Sequence, residues 1–293
     1  MAPQPPPYGS QEYWNQRFSS NTDTFEWLET PDTLERYISD ALSTSQDEDP
    51  QVLHVGCGTS SLSFYLSMHV KSPRQIHNLD YSQVAIEVGV AKERELSLYR
   101  SERRGTDDHG PDDNDVLNFM RWSAVDLLDY KTVIQACNKS TYSVIVDKAT
   151  TDSIACSDDV TIPIPYPIAT SPWTPGTTPA NGSHESTYPL NVLAVNLALT
   201  AKPKARWICL SYSNDRFNFA EWSAPRCGFP HIGQLWNVLG KYAMDKATPA
   251  TETETETRDG TITHRPKIFN WVYVLERTER ALYVREQTES MSP

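Results

Sequence analysis

Val52-Leu53-His54-Val55-Gly56-Cys57-Gly58-Thr59-Ser60-Ser61 decides how this chain is read. Four residues of strand character run into a glycine turn, and a helix is expected to begin near Ser61. A turn at the carboxyl end of a first strand is where an α/β sheet places an adenine-bearing cofactor. Gly56 and Gly58 have no Cβ, so the backbone can take positive φ and admit a ligand closely. Cys57, between them, reads as a small, weakly polar filler of the cofactor turn.

Working outward, Ile76-His77-Asn78-Leu79-Asp80-Tyr81-Ser82 reads as a second strand ending in a carboxylate. A carboxylate at that place accepts the ribose hydroxyls of a nucleoside. Asp80 alone does not discriminate a nicotinamide enzyme, and it can also cap the following helix, as can Ser82. A dinucleotide fingerprint requires a third glycine where Ser61 stands, which counts against a nicotinamide oxidoreductase.

Further motifs follow in order: Tyr13-Trp14-Asn15-Gln16-Arg17-Phe18 near the N-terminus, the glycine turn, Asp80-Tyr81-Ser82, and Asp147-Lys148-Ala149-Thr150-Thr151-Asp152. With this series the chain resembles the class I S-adenosylmethionine-dependent methyltransferases. It is most similar to the branch containing the lysine methyltransferases of translation elongation factor 1-alpha. That branch carries Tyr-Trp-x-x-Arg-Tyr, Gly-Cys-Gly-Asn/Thr-Ser, Asp-Tyr-Ser and Glu/Asp-Lys-Gly-Thr-Leu-Asp. This chain departs from it at Phe18, Ala149 and Thr151.

The resemblance implies a seven-stranded Rossmann-like α/β sandwich that binds S-adenosylmethionine and releases S-adenosylhomocysteine. It implies that Trp14, Phe18 and Trp27 cover the cofactor; Arg17, with its fork of donors, suits the cofactor carboxylate, a solvent-facing salt bridge being the alternative. Gly56, Cys57, Gly58, Asp80 and Tyr81 form the cofactor edge. Asp126 accepts from the adenine amino group, and the backbone of Leu127 reaches a ring nitrogen. Lys148 contributes most simply through its backbone, with its side chain free to pair with Asp147. Asp147 is the candidate catalytic group, orienting an acceptor amine or taking its proton. Thr150 and Asp152 are equally well explained as a helix cap. The acceptor implied is a protein lysine; alternatives are a small molecule with an amine, hydroxyl or thiol, and a cofactor-binding partner protein without activity.

At 293 residues the chain suits one α/β domain with insertions. A proline-rich tail, 1–10, is expected to be disordered, with the domain spanning 11–288. Helices are expected over 11–18, 31–43 (capped by Thr30), 83–99 and 189–200. Strands are expected near 51–55, 75–79, 118–123, 143–146, 206–211, 235–244 and 269–275. Three polar or proline-rich stretches, about 100–116, 157–188 and 247–266, read as loops. The latter two are expected to border the substrate entrance, because ligands bind at that sheet edge.

The net charge of −12 disfavours nucleic-acid binding. Five scattered cysteines without a C-x-x-C pair argue for reduced thiols in a cytoplasmic protein and against a metal site. No apolar run is long enough for a membrane span. The sequence leaves oligomeric state open.

Overall fold

The apolar segments on either side of the glycine turn lie side by side at the centre of one sheet. The computed structural model describes residues 6–103, 118–172, 183–219, 222, 228–244, 254–256, 262–264 and 269–285. Its first half runs α1 (Gln11–Ser20), a 3-10 turn at Pro31–Leu34, α2 (Glu35–Ser43), β1 (Val52–Val55), α3 (Leu62–Leu66), β2 (Ile76–Asp80), α4 (Gln83–Arg103), β3 (Arg121–Ala124), α5 (Tyr130–Ala136) and β4 (Tyr142–Lys148). The second half runs α6 (Thr150–Ile154), β5 (Val160–Ile164), β6 (Ile168–Ala169), β7 (Ser183–Thr187), α7 (Pro189–Thr200) and β8 (Ala201–Ser211). It closes with β9 (Trp236–Met244), β10 (Glu254–Glu256), β11 (Ile262–His264), β12 (Asn270–Arg277) and β13 (Tyr283–Val284).

The seven-stranded sheet has the order β3-β2-β1-β4-β8-β12-β9. The first five strands are parallel, and β12 runs antiparallel to both β8 and β9. The strand order reverses between β1 and β4, which opens a crevice at their carboxyl ends. Alternate residues supply opposite cores, as the two-residue period of a strand requires. Val52, Val144, Val146, Ile208 and Leu210 pack under α2 and α3. Leu53, Val55, Ile145, Trp207 and Cys209 pack with α7 and α5 on the other face. Burial on both faces explains why these strands read as continuous apolar runs. Every residue of α7 is buried. Its polar Asn196 is satisfied there, donating to the Leu127 carbonyl at 2.9 Å and accepting from Tyr166 Oη at 3.3 Å.

Three expectations change. The 157–188 stretch is not simply a loop: β5 and β7 pair antiparallel, β6 pairs with β13, and Ile162, Ile164, Tyr166 and Ile168 are buried. Proline content obscured an alternating pattern in which apolar residues point inward from a short two-stranded ladder and the chain after it, where proline is tolerated. Of the proline-rich tail, residues 6–10 are ordered, with Ser10 capping α1 through the Tyr13 N–H. Thr30 makes no side-chain cap; Pro31 opens a 3-10 turn instead.

Residues 104–117, and most of 247–266 apart from the short β10–β11 ladder, fall outside the described residues. Among the described residues, no helix is long and apolar enough to cross a membrane. No cluster of three or more His, Cys, Asp or Glu among them is placed to hold a metal ion.

Candidate active site

The glycine turn emerging from β1 has positive φ at Gly56 (60°) and Gly58 (49°), the left-handed region that favours glycine. A Cβ at Gly56 would lie 2.1 Å from Thr150 Oγ1, which donates to the Val55 carbonyl at 2.9 Å. Gly56 therefore serves both the turn and the close approach of α6. Between the glycines the Cys57 N–H donates to the Leu79 carbonyl at 2.9 Å, and the thiol is buried. Burial, with the nearby Asp80, pushes that thiol's pKa well up, so Cys57 is an uncharged filler and not a nucleophile.

Asp80 ends β2 opposite this turn. Its carboxylate accepts from the Gly58 N–H and the Ser82 N–H, both at 2.8 Å. It thus serves the turn and the helix start together while still lining the cavity. Burial raises its pKa to about 6 despite the N–H donors. The Val125 N–H donates to the Asp80 carbonyl at 2.8 Å, which sets the following Asp126 and Leu127 on the same edge. Asp126 Oδ1 accepts from the Leu128 N–H at 2.9 Å, a turn contact that leaves the exposed carboxyl at the cavity wall.

An aromatic cover lies over these groups. Trp14 and Phe18, one turn apart on α1, stack with ring centroids 5.6 Å apart, and Trp27 meets Trp14 edge-on at 5.8 Å. Tyr8 packs against Trp27 at 4.9 Å. Its carbonyl accepts from Trp14 Nε1 at 2.7 Å and from Ser153 Oγ at 2.6 Å. The short stretch Tyr8–Ser10 is thereby strapped across α6. Trp14, Phe18 and Trp27 all line the cavity, as does Tyr81.

The charged residues of the two remaining motifs are arranged differently from expectation. Lys148 lines the cavity, but its Nζ pairs with Glu26 at 2.9 Å and donates to the Trp27 carbonyl at 3.0 Å, not to Asp147. Asp147 is fully buried and does not line the cavity. Its Oδ1 accepts from the Thr150 and Thr151 N–H groups at 2.8 and 3.3 Å, capping α6. Burial, then the neighbouring Asp152, raises its pKa to about 7. Strand alternation is the reason: consecutive residues at the end of β4 face opposite ways, and the Lys148 side takes the cavity.

Arg17 also lies outside the cavity wall, its guanidinium 3.8 Å over the Phe25 ring. Asp152 does line the cavity, yet both oxygens are occupied. Oδ1 accepts from Ser211 Oγ at 2.5 Å and from Arg216 Nη2 and Nε at 2.7 and 2.9 Å, and Oδ2 from the Tyr212 N–H at 2.9 Å.

The result is a cavity of about 510 Å³ at the crevice between β1 and β4, within the usual size range of a small-molecule or cofactor site. Sequence reasoning missed Tyr8, His54, Glu26 and Tyr212. His54 sits in the cavity wall with Nδ1 hydrogen-bonded to Ser63 and Asn78, and burial lowers its pKa to about 4, so it is neutral. The Glu26 signal was its place within Phe25-Glu26-Trp27, an acidic residue between two aromatics; the other three carried no local pattern.

Sheet order, the antiparallel β12 and the glycine-turn cavity together define a mostly parallel, Rossmann-like α/β fold with its crevice at the switch point. No family model matches the chain. It is similar to Methyltransferase srdJ of Neurospora crassa, 30% identical over 157 residues, 54% of this chain and 58% of that protein. The match thus spans under two thirds of that relative. Three solved structures overlap most of the chain. The protein of the conversion of a disulfide bond into a thioacetal group during echinomycin biosynthesis has a TM-score of 0.48 at 14% identity, covering 93% of this chain and 94% of its own. N-methyltransferase NodS from Bradyrhizobium japonicum, in complex with S-adenosyl-L-homocysteine, gives 0.46 at 12%, covering 90% and 96%. Magnesium protoporphyrin IX methyltransferase from Synechocystis, with bound S-adenosylmethionine, gives 0.44 at 10%, covering 95% and 100%.

Proposed function

We propose that this chain is an enzyme that transfers the methyl group of S-adenosylmethionine to an acceptor amine. One observation carries the reading: a positive-φ Gly56–Gly58 turn, the Asp80 carboxylate, the Asp126–Leu127 edge and an aromatic cover share a single cavity. The residues present fit the cofactor. Asp80 keeps lone pairs for ribose hydroxyls, the Asp126 carboxyl and Leu127 backbone suit an adenine edge, and the Trp14 and Trp27 rings suit a cationic sulfonium. When bound, S-adenosylmethionine supplies an activated methyl group, so the protein needs to align the acceptor and exclude water.

The carboxylates at the end of β4 are committed elsewhere. Asp147 caps α6 outside the cavity, and Asp152 is consumed by Arg216, Ser211 and the Tyr212 N–H. The acceptor amine then reaches its uncharged form through desolvation by the aromatic wall, with neither Asp147 nor Asp152 taking its proton. A protein lysine is the acceptor favoured by the resemblance of the four motifs to those of the elongation factor 1-alpha branch, departures at Phe18, Ala149 and Thr151 aside, and its slender chain suits passage along Tyr8, Trp14 and Trp27. The Tyr8–Ser10 strap over α6 favours a second reading, a small-molecule acceptor held inside.

Transfer of tritiated methyl from S-adenosylmethionine into a fractionated lysate tests both. Label in one protein band supports the lysine; label confined to the small-molecule pool moves the function to metabolite methylation. No label, with no binding of S-adenosylhomocysteine by calorimetry, would refute methyl transfer.

A further inference from the structure

Glu26 belongs to no recognised motif, yet it joins three separate parts of the site. Its Oε1 accepts from the Ser61 N–H at 2.8 Å and from the Ser61 hydroxyl at 2.5 Å. Its Oε2 accepts from Ser60 Oγ at 2.8 Å and pairs with Lys148 Nζ at 2.9 Å. One carboxylate thus holds the exit of the glycine turn and the end of β4. Its own backbone lies between Phe25 and Trp27, which both wall the cavity.

The neighbouring contacts reinforce the junction. Thr59 Oγ1 donates to the Asp23 carbonyl at 3.0 Å, and Asn270 Nδ2 donates to Glu29 Oε1. The Lys148 side chain is only 4% exposed. A cation so buried is strongly disfavoured once its partner leaves. The segment carrying Phe25 and Trp27 therefore lifts away only by stranding the Lys148 charge and releasing Ser60 and Ser61 together.

We propose that Glu26 is a positioning residue, a latch that holds the aromatic cover closed over the glycine turn and sets how slowly the cofactor site opens. The proposal rests on the methyl-transfer reading for its ligand, but not for the latch itself. Opening requires exchange of the Glu26–Lys148 pair for water, and the closed state fixes the backbone of the turn against which the cofactor binds.

Two measurements on the full-length chain test it. In E26Q, S-adenosylhomocysteine is expected to bind about tenfold or more weakly, most of the loss appearing as faster dissociation followed by Trp14 and Trp27 fluorescence. Turnover at saturating cofactor should fall far less than affinity, a split that general destabilisation would not give. E26D, which keeps the charge, should recover much of the affinity. Amide hydrogen exchange of the ligand-free protein supplies the independent arm: in E26Q, protection within 23–29 and 56–62 should fall together. Unchanged dissociation and unchanged exchange in E26Q overturn the latch. If wild type binds no S-adenosylhomocysteine, the functional reading fails, while joint loss of protection in E26Q still supports the latch.

Discussion

Two edges of one crevice carry carboxylates that look alike in sequence and behave differently in space. At the β1–β2 edge, Asp80 is buried, accepts two backbone N–H groups, and still borders the cavity. At the β4–α6 edge, Asp147 and Asp152 are buried too, but one lies outside the cavity and the other is engaged by a buried arginine, a serine hydroxyl and a backbone N–H. The first edge ties its carboxylate to two backbone N–H groups alone and leaves it bordering the cavity. The second spends its carboxylates on holding a helix and a buried arginine. A carboxylate beside a cavity is a functional candidate only if some of its hydrogen-bonding capacity is left over.

The sharpest way to break this comparison is at Asp152. D152A leaves Arg216, only 8% exposed, without its carboxylate, and should destabilise the fold by about 3–5 kcal/mol in urea unfolding. A loss of activity with unchanged stability would instead make Asp152 a participant in the reaction.

At the other edge, G56A places a Cβ against Thr150 at positive φ, and should lower stability by about 1–3 kcal/mol and weaken S-adenosylhomocysteine binding with it. An alanine variant of wild-type stability would mean that the turn relaxes and that the glycine is not required.

Asp80 sharpens the contrast through pH. D80N should weaken S-adenosylhomocysteine binding by about 1–3 kcal/mol, measured by calorimetry. The carboxylate is the better acceptor for ribose hydroxyls, so wild-type affinity should rise as pH rises through about 6, where Asp80 loses its proton. D80N should show no such rise; the same rise in D80N would assign the titration to another group.

The smallest effect is expected at Asp147. Asparagine keeps an oxygen for the Thr150 and Thr151 N–H groups, so D147N should retain turnover at saturating cofactor. Folding raises this carboxyl from its ordinary 3.8 to about 7, so the native state holds a proton that the unfolded state releases. Its contribution to stability is therefore greatest at acid pH and declines as pH rises between those two values. D147N should remove that slope and be equal to or more stable than wild type at pH 8. Collapse of turnover in D147N would restore the catalytic role that the motif suggested.

Much of the fold was legible because its signals are local. The doubly buried strands read as apolar runs, and α7 fell at its observed bounds. The glycine turn and Asp80 were legible for the same reason, since strand, turn and strand end lie within thirty residues and border one cavity. The β5–β7 ladder was hidden by prolines, although Ile162, Ile164, Tyr166 and Ile168 kept a strand's alternation. Arg17 was read as a ligand for the cofactor carboxylate, but Phe25 claims its guanidinium.

By itself the sequence determined most of the sheet, the position of the crevice, and which strand ends border it, because two-residue and helical periodicities and glycine's backbone freedom act over short spans. Tertiary structure decided the partners of the charges: Lys148 with Glu26, Asp152 with Arg216, Asp147 with the start of α6. A buried charge takes whichever opposite charge or N–H the fold brings within about 3 Å. That choice depends on chain segments up to more than a hundred residues apart, and no local pattern records it.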